Sequence, residues 1–222
     1  LVSGPCREQR SAVAIRYRGV FVVCTHLDAY REVSRLAQLV DLASFIEEKH
    51  FGTESEKDEG NRTNESAGTT LSRSAKVVCP PSFEEGTGAK LNAVDKNVHA
   101  AACEPSIIGS AWGNVLICGD FNALRAKDYG EHEWADLHNR RAKAGIASAT
   151  TVTQRLEACW GFKDCRSVAA RAEGSVPTSI HGARVDYFWA SPRFLRRFNV
   201  MRVAHVNFVE RVTDHSLILC DV

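Results

Sequence analysis

Asn114-Val115-Leu116-Ile117-Cys118-Gly119-Asp120-Phe121-Asn122 decides how this chain is read. Four apolar residues of strand length stop at a glycine, and an acid and an amide follow at once. An apolar run this short, bounded by a turn residue, reads as a buried strand. Polar groups placed directly after such a strand sit on a short loop held by a rigid sheet, which is where layered α/β proteins build sites. The same arrangement recurs. The run Val20-Phe21-Val22-Val23-Cys24 leads into Thr25-His26-Leu27-Asp28. Arg184-Val185-Asp186-Tyr187 opens a strand over residues 184–190, and Thr213-Asp214-His215-Ser216 precedes a last strand over residues 217–222.

The elements between these runs follow from periodicity. Residues 11–18 alternate, with Val13, Ile15 and Tyr17 on the face expected to be buried, and Gly19 turns the chain into residues 20–24, a strand expected to be buried on both faces. Residues 30–50 switch to helical period, with Val33, Leu36, Ala37, Val40, Ala43 and Ile46 as the apolar stripe and Gly52 as the stop. Residues 131–143 form a helix that is acidic in its first turn and basic in its last; residues 152–160 form another, ended by Gly161. Residues 198–203 read as a strand. Strands alternating with helices, together with hairpin-like neighbours, define an α/β layered domain. Between the first helix and Asn114 the periodicity fails. Residues 53–70 are rich in Glu, Ser, Thr, Gly and Asn, a composition that buries too little surface to offset chain entropy, so a disordered insertion is expected. The domain is accordingly divided into residues 1–51, an insertion over 52–113, and a second segment of the same domain over 114–222.

Composition narrows the function classes. The 222 residues suit one domain or part of a larger one. Lys+Arg 28 against Asp+Glu 27 predicts no polyanion partner from total charge, and the longest apolar runs are too short for a transmembrane helix. The eight cysteines form no C-x-x-C pair, which argues against a zinc ribbon, and Cys24, Cys118 and Cys220 are expected to be small buried hydrophobes. No basic-then-apolar leader opens the chain, and reduced thiols in an intracellular compartment are the matching expectation. His132 and His138 are six residues apart, off one helical face, and suggest no zinc site. Arg193, Arg196, Arg197, Arg202 and Arg211 lie between two of the polar motifs and are either the solvated face of a hairpin or, being placed near the site, a patch that could steer a polyanion.

Taken in order, the words THLD, GDFNA, RVDY and TDH resemble the endonuclease/exonuclease/phosphatase superfamily, whose fold is the deoxyribonuclease-I-like, four-layered α/β/β/α sandwich. The runs Ala126-Lys127-Asp128-Tyr129, Trp134-Ala135-Asp136-Leu137 and Trp160-Gly161-Phe162-Lys163-Asp164 are similar to a plant and protist branch of it. The resemblance covers residues 8–50 and 114–222, and it implies a divalent-metal-dependent phosphoesterase, most simply one hydrolysing phosphodiesters by metal-activated water. Mg²⁺ is the implied cofactor, with Mn²⁺ as its substitute; a phosphate ester, nucleic acid first, is the implied partner.

Each residue role follows from the motif that carries it. Asp120 is implied as water-orienting base or metal ligand, and Asn122 as an amide holding water or a phosphate oxygen. His215 is implied at the scissile phosphate, with Asp186 orienting and charging it. Asp214 is implied in metal coordination or water positioning, and His26 as donor to a phosphate oxygen. Arg184 is left between neutralising phosphate and pairing with Asp186. These residue types suit the chemistry, because phosphate ester hydrolysis needs a cation, an activated water and donors toward developing negative charge.

The resemblance also calls for an asparagine and a glutamate metal ligand on strands that precede residues 11–18. Glu8, beside Arg7, reads as the start of that strand instead. The chain is therefore expected to be the C-terminal portion of the fold and inactive in isolation. The alternative from another class is a truncated, non-catalytic relative that binds phosphate-bearing partners.

Overall fold

The computed structural model describes residues 10–51, 75–76, 112–174, 176–206 and 213–222. The disordered insertion expected over 52–113 falls, apart from residues 75–76 and 112–113, outside the described residues, as does Arg211. The architecture is mixed α/β, built on two sheets.

The larger sheet has the order β3-β1-β2-β4-β7-β5. Its strands are β1 (Ser11–Tyr17), β2 (Val20–His26), β3 (Ala75–Lys76), β4 (Val115–Asp120), β5 (Lys163–Asp164) and β7 (Asp186–Ala190). β1 and β2 form the hairpin turned at Gly19, β2 and β4 run parallel, and β4 and β7 run antiparallel. The C-terminal ends of β2 and β4 therefore meet the N-terminal end of β7. The second sheet has the order β6-β8-β9, from β6 (Arg171–Glu173), β8 (Arg202–Val206) and β9 (Leu217–Asp221).

Helices cover one face of the larger sheet. Phe21, Val23, Val115, Ile117, Tyr187 and Trp189 point to this side, where α1 (Glu32–Phe51) supplies Leu36, Leu39, Leu42 and Ile46. The second helix, α2 (Glu131–Lys143), packs through Leu137 outside this core. The third, α3 (Thr151–Ala158), adds Val152 and Leu156 to it. On the opposite face Leu116 and Ala190 pack against Val203 of the second sheet, Cys165 of α4 (Cys165–Val168) and Phe194 of α5 (Pro192–Arg197).

Three expectations are corrected by this layering. Val33 and Val40 are exposed, because α1 is rotated so that Leu36, Leu39, Leu42 and Ile46 face the sheet. In β1 the buried face carries Ala12, whereas Val13, Ile15 and Tyr17 are exposed at 48%, 46% and 61%. β2 is likewise buried on one face, and Cys24 is exposed rather than buried. The cluster formed with the second sheet takes in Val20 and Val22 of β2, and Val13, Ile15 and Tyr17 of β1 lie outside it. Residues 198–203 are also not one strand. Ser191 caps α5 by accepting a hydrogen bond from the Phe194 N–H with Pro192 in the first turn, and pairing begins only at Arg202.

Candidate functional site

The strand register builds a row of side chains at one end of the larger sheet. His26 is paired with Asp120 across β2 and β4, and Asp120 with Asp186 across β4 and β7. Residues directly opposite one another in adjacent strands share a face, so these three project together. His215 closes the row from a separate loop. Its Nδ1 lies 2.8 Å from Asp186 Oδ2, and since an ionised carboxylate only accepts, the imidazole donates. Its Nε2 lies 3.9 Å from Asp120 Oδ2, and His26 Nε2 lies 3.4 Å from the same oxygen.

Local chemistry explains why these residue types stand where they do. Gly119 has φ +129, and a Cβ there would lie 1.9 Å from the Thr25 carbonyl oxygen, so the close approach of β2 and β4 just before the site requires glycine. Asn122 adopts φ +48, a left-handed conformation that Asn tolerates better than most residues. Its backbone N–H donates to Asp120 Oδ1 at 2.7 Å, and its side-chain amide donates to Asp120 Oδ2 at 3.2 Å and to the Leu27 carbonyl at 3.0 Å. Asn122 thus spends both side-chain donors on holding Asp120 and the β2 end. Phe121, between the two polar residues, is fully buried and packs edge-on against Tyr187 and Trp189.

The electrostatics are those of two acids sharing one basic neighbour. Burial, and next the Asp186 charge, push the Asp120 carboxyl up to about 6, against the lowering pull of the Asn122 N–H, His215 and Arg10. Burial lowers His215, but the charge and hydrogen bond of Asp186, with Asp120 and Asp214 behind them, outweigh it and leave the imidazole more basic than usual. Ligand-forming atoms of Asp120, Asp186 and His215 all lie within 4.8 Å of one another. The carboxylate oxygens suit a hard divalent cation. His215 already has its Nδ1 on Asp186.

Other expected participants lie elsewhere. Asp214 is exposed and outside that cluster; its carbonyl accepts from the Ile180 N–H, and it reaches His215 only as a through-space charge. Arg184, expected at phosphate or on Asp186, is corrected to a buried structural residue. It is 1% exposed, reaches both Asp164 oxygens at 2.8 Å and Asp128 at 3.0 Å, and stacks over Tyr187. The basic segment is corrected too. Arg193, Arg196 and Arg197 belong to α5, which packs by Gly19 and Val115, at the far end of β2 and β4 from His26 and Asp120. Six residues of β2 put about 20 Å between those ends. Arg202 pairs with Glu173.

Two contributors escaped the sequence reading. Arg10 places Nη1 3.2 Å from His26 Nε2, and because a guanidinium only donates, that nitrogen accepts in this state. Thr178 is buried, and its hydroxyl oxygen accepts from the Val185 and Asp186 N–H groups at 3.1 and 3.2 Å. Its carbonyl accepts from the Ser216 N–H, and Ser179 bridges to His215. This loop carries His215 to Asp186; a Pro177-Thr178 turn before the RVDY strand was its only signal in sequence. A hollow of about 600 Å³ beside α2, lined by Tyr129, Leu137, Arg140 and Gly182, contains none of the row.

Known proteins add little to this geometry. No protein-family model matches the chain, and no curated protein matches it. A similar solved structure is that of a functionally unknown conserved protein from Enterococcus faecalis V583, 12% identical, with a TM-score of 0.36 over 93% of this chain and 52% of that one. The chain spans about half the length of that neighbour. Among the described residues no helix is long and apolar enough to cross a membrane.

Proposed function

We propose that this chain carries the candidate active site of a divalent-metal-dependent phosphoesterase, most simply one acting on phosphodiesters, of the endonuclease/exonuclease/phosphatase superfamily. In this reading the two sheets and their helices are the deoxyribonuclease-I-like sandwich. One observation carries it: His26, Asp120 and Asp186 stand in register on three adjacent strands, and His215 is bonded to the last of them.

Asp120 and the free edge of Asp186 are the groups that would hold Mg²⁺ or Mn²⁺, which supplies positive charge to the phosphate oxygens. Asp120, fixed by Asn122, accepts a proton from water once ionised. Asp186 orients the His215 ring and favours its protonated form, so that Nε2–H donates where negative charge grows on phosphorus-bound oxygen. His26 donates to a phosphate oxygen only after Nε2 is protonated and released from Arg10, which makes Arg10 a second cation for the same phosphate.

The test is hydrolysis of a chromogenic phosphodiester in Mg²⁺ or Mn²⁺. Asp120→Ala and His215→Ala should each reduce kcat by roughly 10²–10⁴-fold with little change in KM, since both act on charge that develops in the transition state. Asp186→Asn should be milder. Full turnover by Asp120→Ala would overturn the assignment. A second reading, a non-catalytic phosphate binder, is favoured by the small donor set: two carboxylates meet among the described residues, whereas Mg²⁺ prefers six oxygens. Phosphate binding lost in His26→Ala and His215→Ala, with no turnover in the unaltered protein, would select it.

A further inference from the structure

The face of the sheet that carries the row also carries two thiols. Cys24 precedes His26 by two residues on β2, Cys118 precedes Asp120 by two on β4, and the two cysteines are direct cross-strand partners. In a parallel pair such partners project to the same side. The thiols are in hydrogen-bond contact, with Cys24 exposed and Cys118 half-buried. We propose that Cys24 and Cys118 form a peroxide-responsive dithiol, an oxidative modification site one step down the strands from the His26–Asp120 pair.

Geometry divides the labour. The exposed Cys24 sulfur is the one a hydroperoxide can reach, and Cys118 is already in place to resolve the product. The thiolate is the nucleophile in such a reaction, and Cys24 is the sulfur of the pair that solvent reaches. In the first step the Cys24 thiolate attacks one oxygen of hydrogen peroxide, the O–O bond breaks, and Cys24 sulfenic acid and hydroxide form. The Cys118 sulfur then attacks the Cys24 sulfur. The S–O bond breaks, the thiol proton leaves with the hydroxyl as water, and a disulfide remains. Two electrons pass from the two sulfurs to the peroxide.

Adjacent strands lie about 4.8 Å apart, inside the Cα separation of about 4.4–6.8 Å that a disulfide spans. The other thiol pair offers a contrast: Cys165, hydrogen-bonded to Cys220, is fully buried and out of reach of peroxide.

The experiment treats the protein with stoichiometric hydrogen peroxide near neutral pH, alkylates the remaining thiols with iodoacetamide, and maps peptides without reductant. It uses no phosphate ester, so its result stands apart from the phosphoesterase reading. A Cys24–Cys118 linked peptide pair, short of two hydrogens and restored by dithiothreitol, is expected, with Cys24 lost roughly tenfold faster than Cys165. Cys118→Ser should abolish the link and leave Cys24 oxidised to sulfinic acid; Cys24→Ser should leave Cys118 reduced. A Cys24 that stays reduced, or a link from it to Cys6, Cys79, Cys103, Cys220 or a second molecule, would overturn the proposal.

Discussion

Asp120 concentrates the tension of the site. It lies between two imidazoles and beside a second carboxylate, with its oxygens held by Asn122. Because its carboxyl is raised from the ordinary range to about 6, the native state favours the protonated form relative to the unfolded chain. The stability this contributes is fully present below about pH 4 and is lost as pH rises through about 6. Asp120→Asn removes that loss. The variant should therefore melt higher than the unaltered protein at pH 7.5 without metal, by on the order of 1–3 kcal/mol, and the difference should shrink toward pH 4. Mg²⁺ should raise the Tm of the unaltered protein at pH 7.5 and leave Asp120→Asn unmoved, because the cation stabilises only the state that binds it. Thermal melts at several pH values, with and without Mg²⁺, check both statements.

The elements behind the row are joined by a buried ion network. Arg184, at the entry to β7, meets Asp164 at the end of β5 and Asp128 in the short 3₁₀ turn after β4. Arg125 joins Asp128 and Asp164 to Glu157 on α3. The network accounts for the sequence words AKDY and FKD as structural, and it fixes β7 from the side opposite the site. Removing one member leaves buried carboxylates without a partner. Arg184→Ala should cost about 3–5 kcal/mol in chemical denaturation. Arg184→Lys should recover only part of it, because an ammonium lacks the planar fork that engages both Asp164 oxygens. Phosphate binding measured under conditions where the variants stay folded should be unchanged, as the guanidinium does not reach the row. A selective loss of phosphate affinity would return Arg184 to the site.

Across the molecule the two faces of the larger sheet are covered unequally. Helices α1 and α3 close one face, while on the other the second sheet, α4 and α5 form a cluster with β4, β7 and Val20 and Val22 of β2. Among the described residues, Val13, Ile15 and Tyr17 of β1 form an exposed apolar strip. Side chains that remain half in water contribute little to folding but do promote association. Ile15→Thr should change stability by less than about 0.5 kcal/mol, while lowering concentration-dependent scattering. Leu39→Ala, on the covered face, should cost about 2–5 kcal/mol by comparison. Equal losses at the two positions would mean that the strip is covered.

Strand and helix identity was legible along most of the described chain, because periods of 2 and 3.6 are local properties. Residues 131–143 form the expected helix end for end, and the runs before His26 and Asp120 are the expected strands. His26, Asp120, Asp186 and His215 were singled out by the resemblance of their four motifs, and it is the strand register and the contact of His215 with Asp186 that put them side by side. What sequence could not decide was which face each element buries. β1 is apolar on one side and small on the other, and either could pack; the helix-covered core takes the Ala12 and Ala14 side, which puts Val13, Ile15 and Tyr17 on the other. Partner choice was equally out of reach. Arg184 lies two residues from Asp186 in sequence, yet it turns inward to acids 20 and 56 residues away, because it stands ahead of β7, where strand alternation does not fix its direction, and burial demands a paired charge.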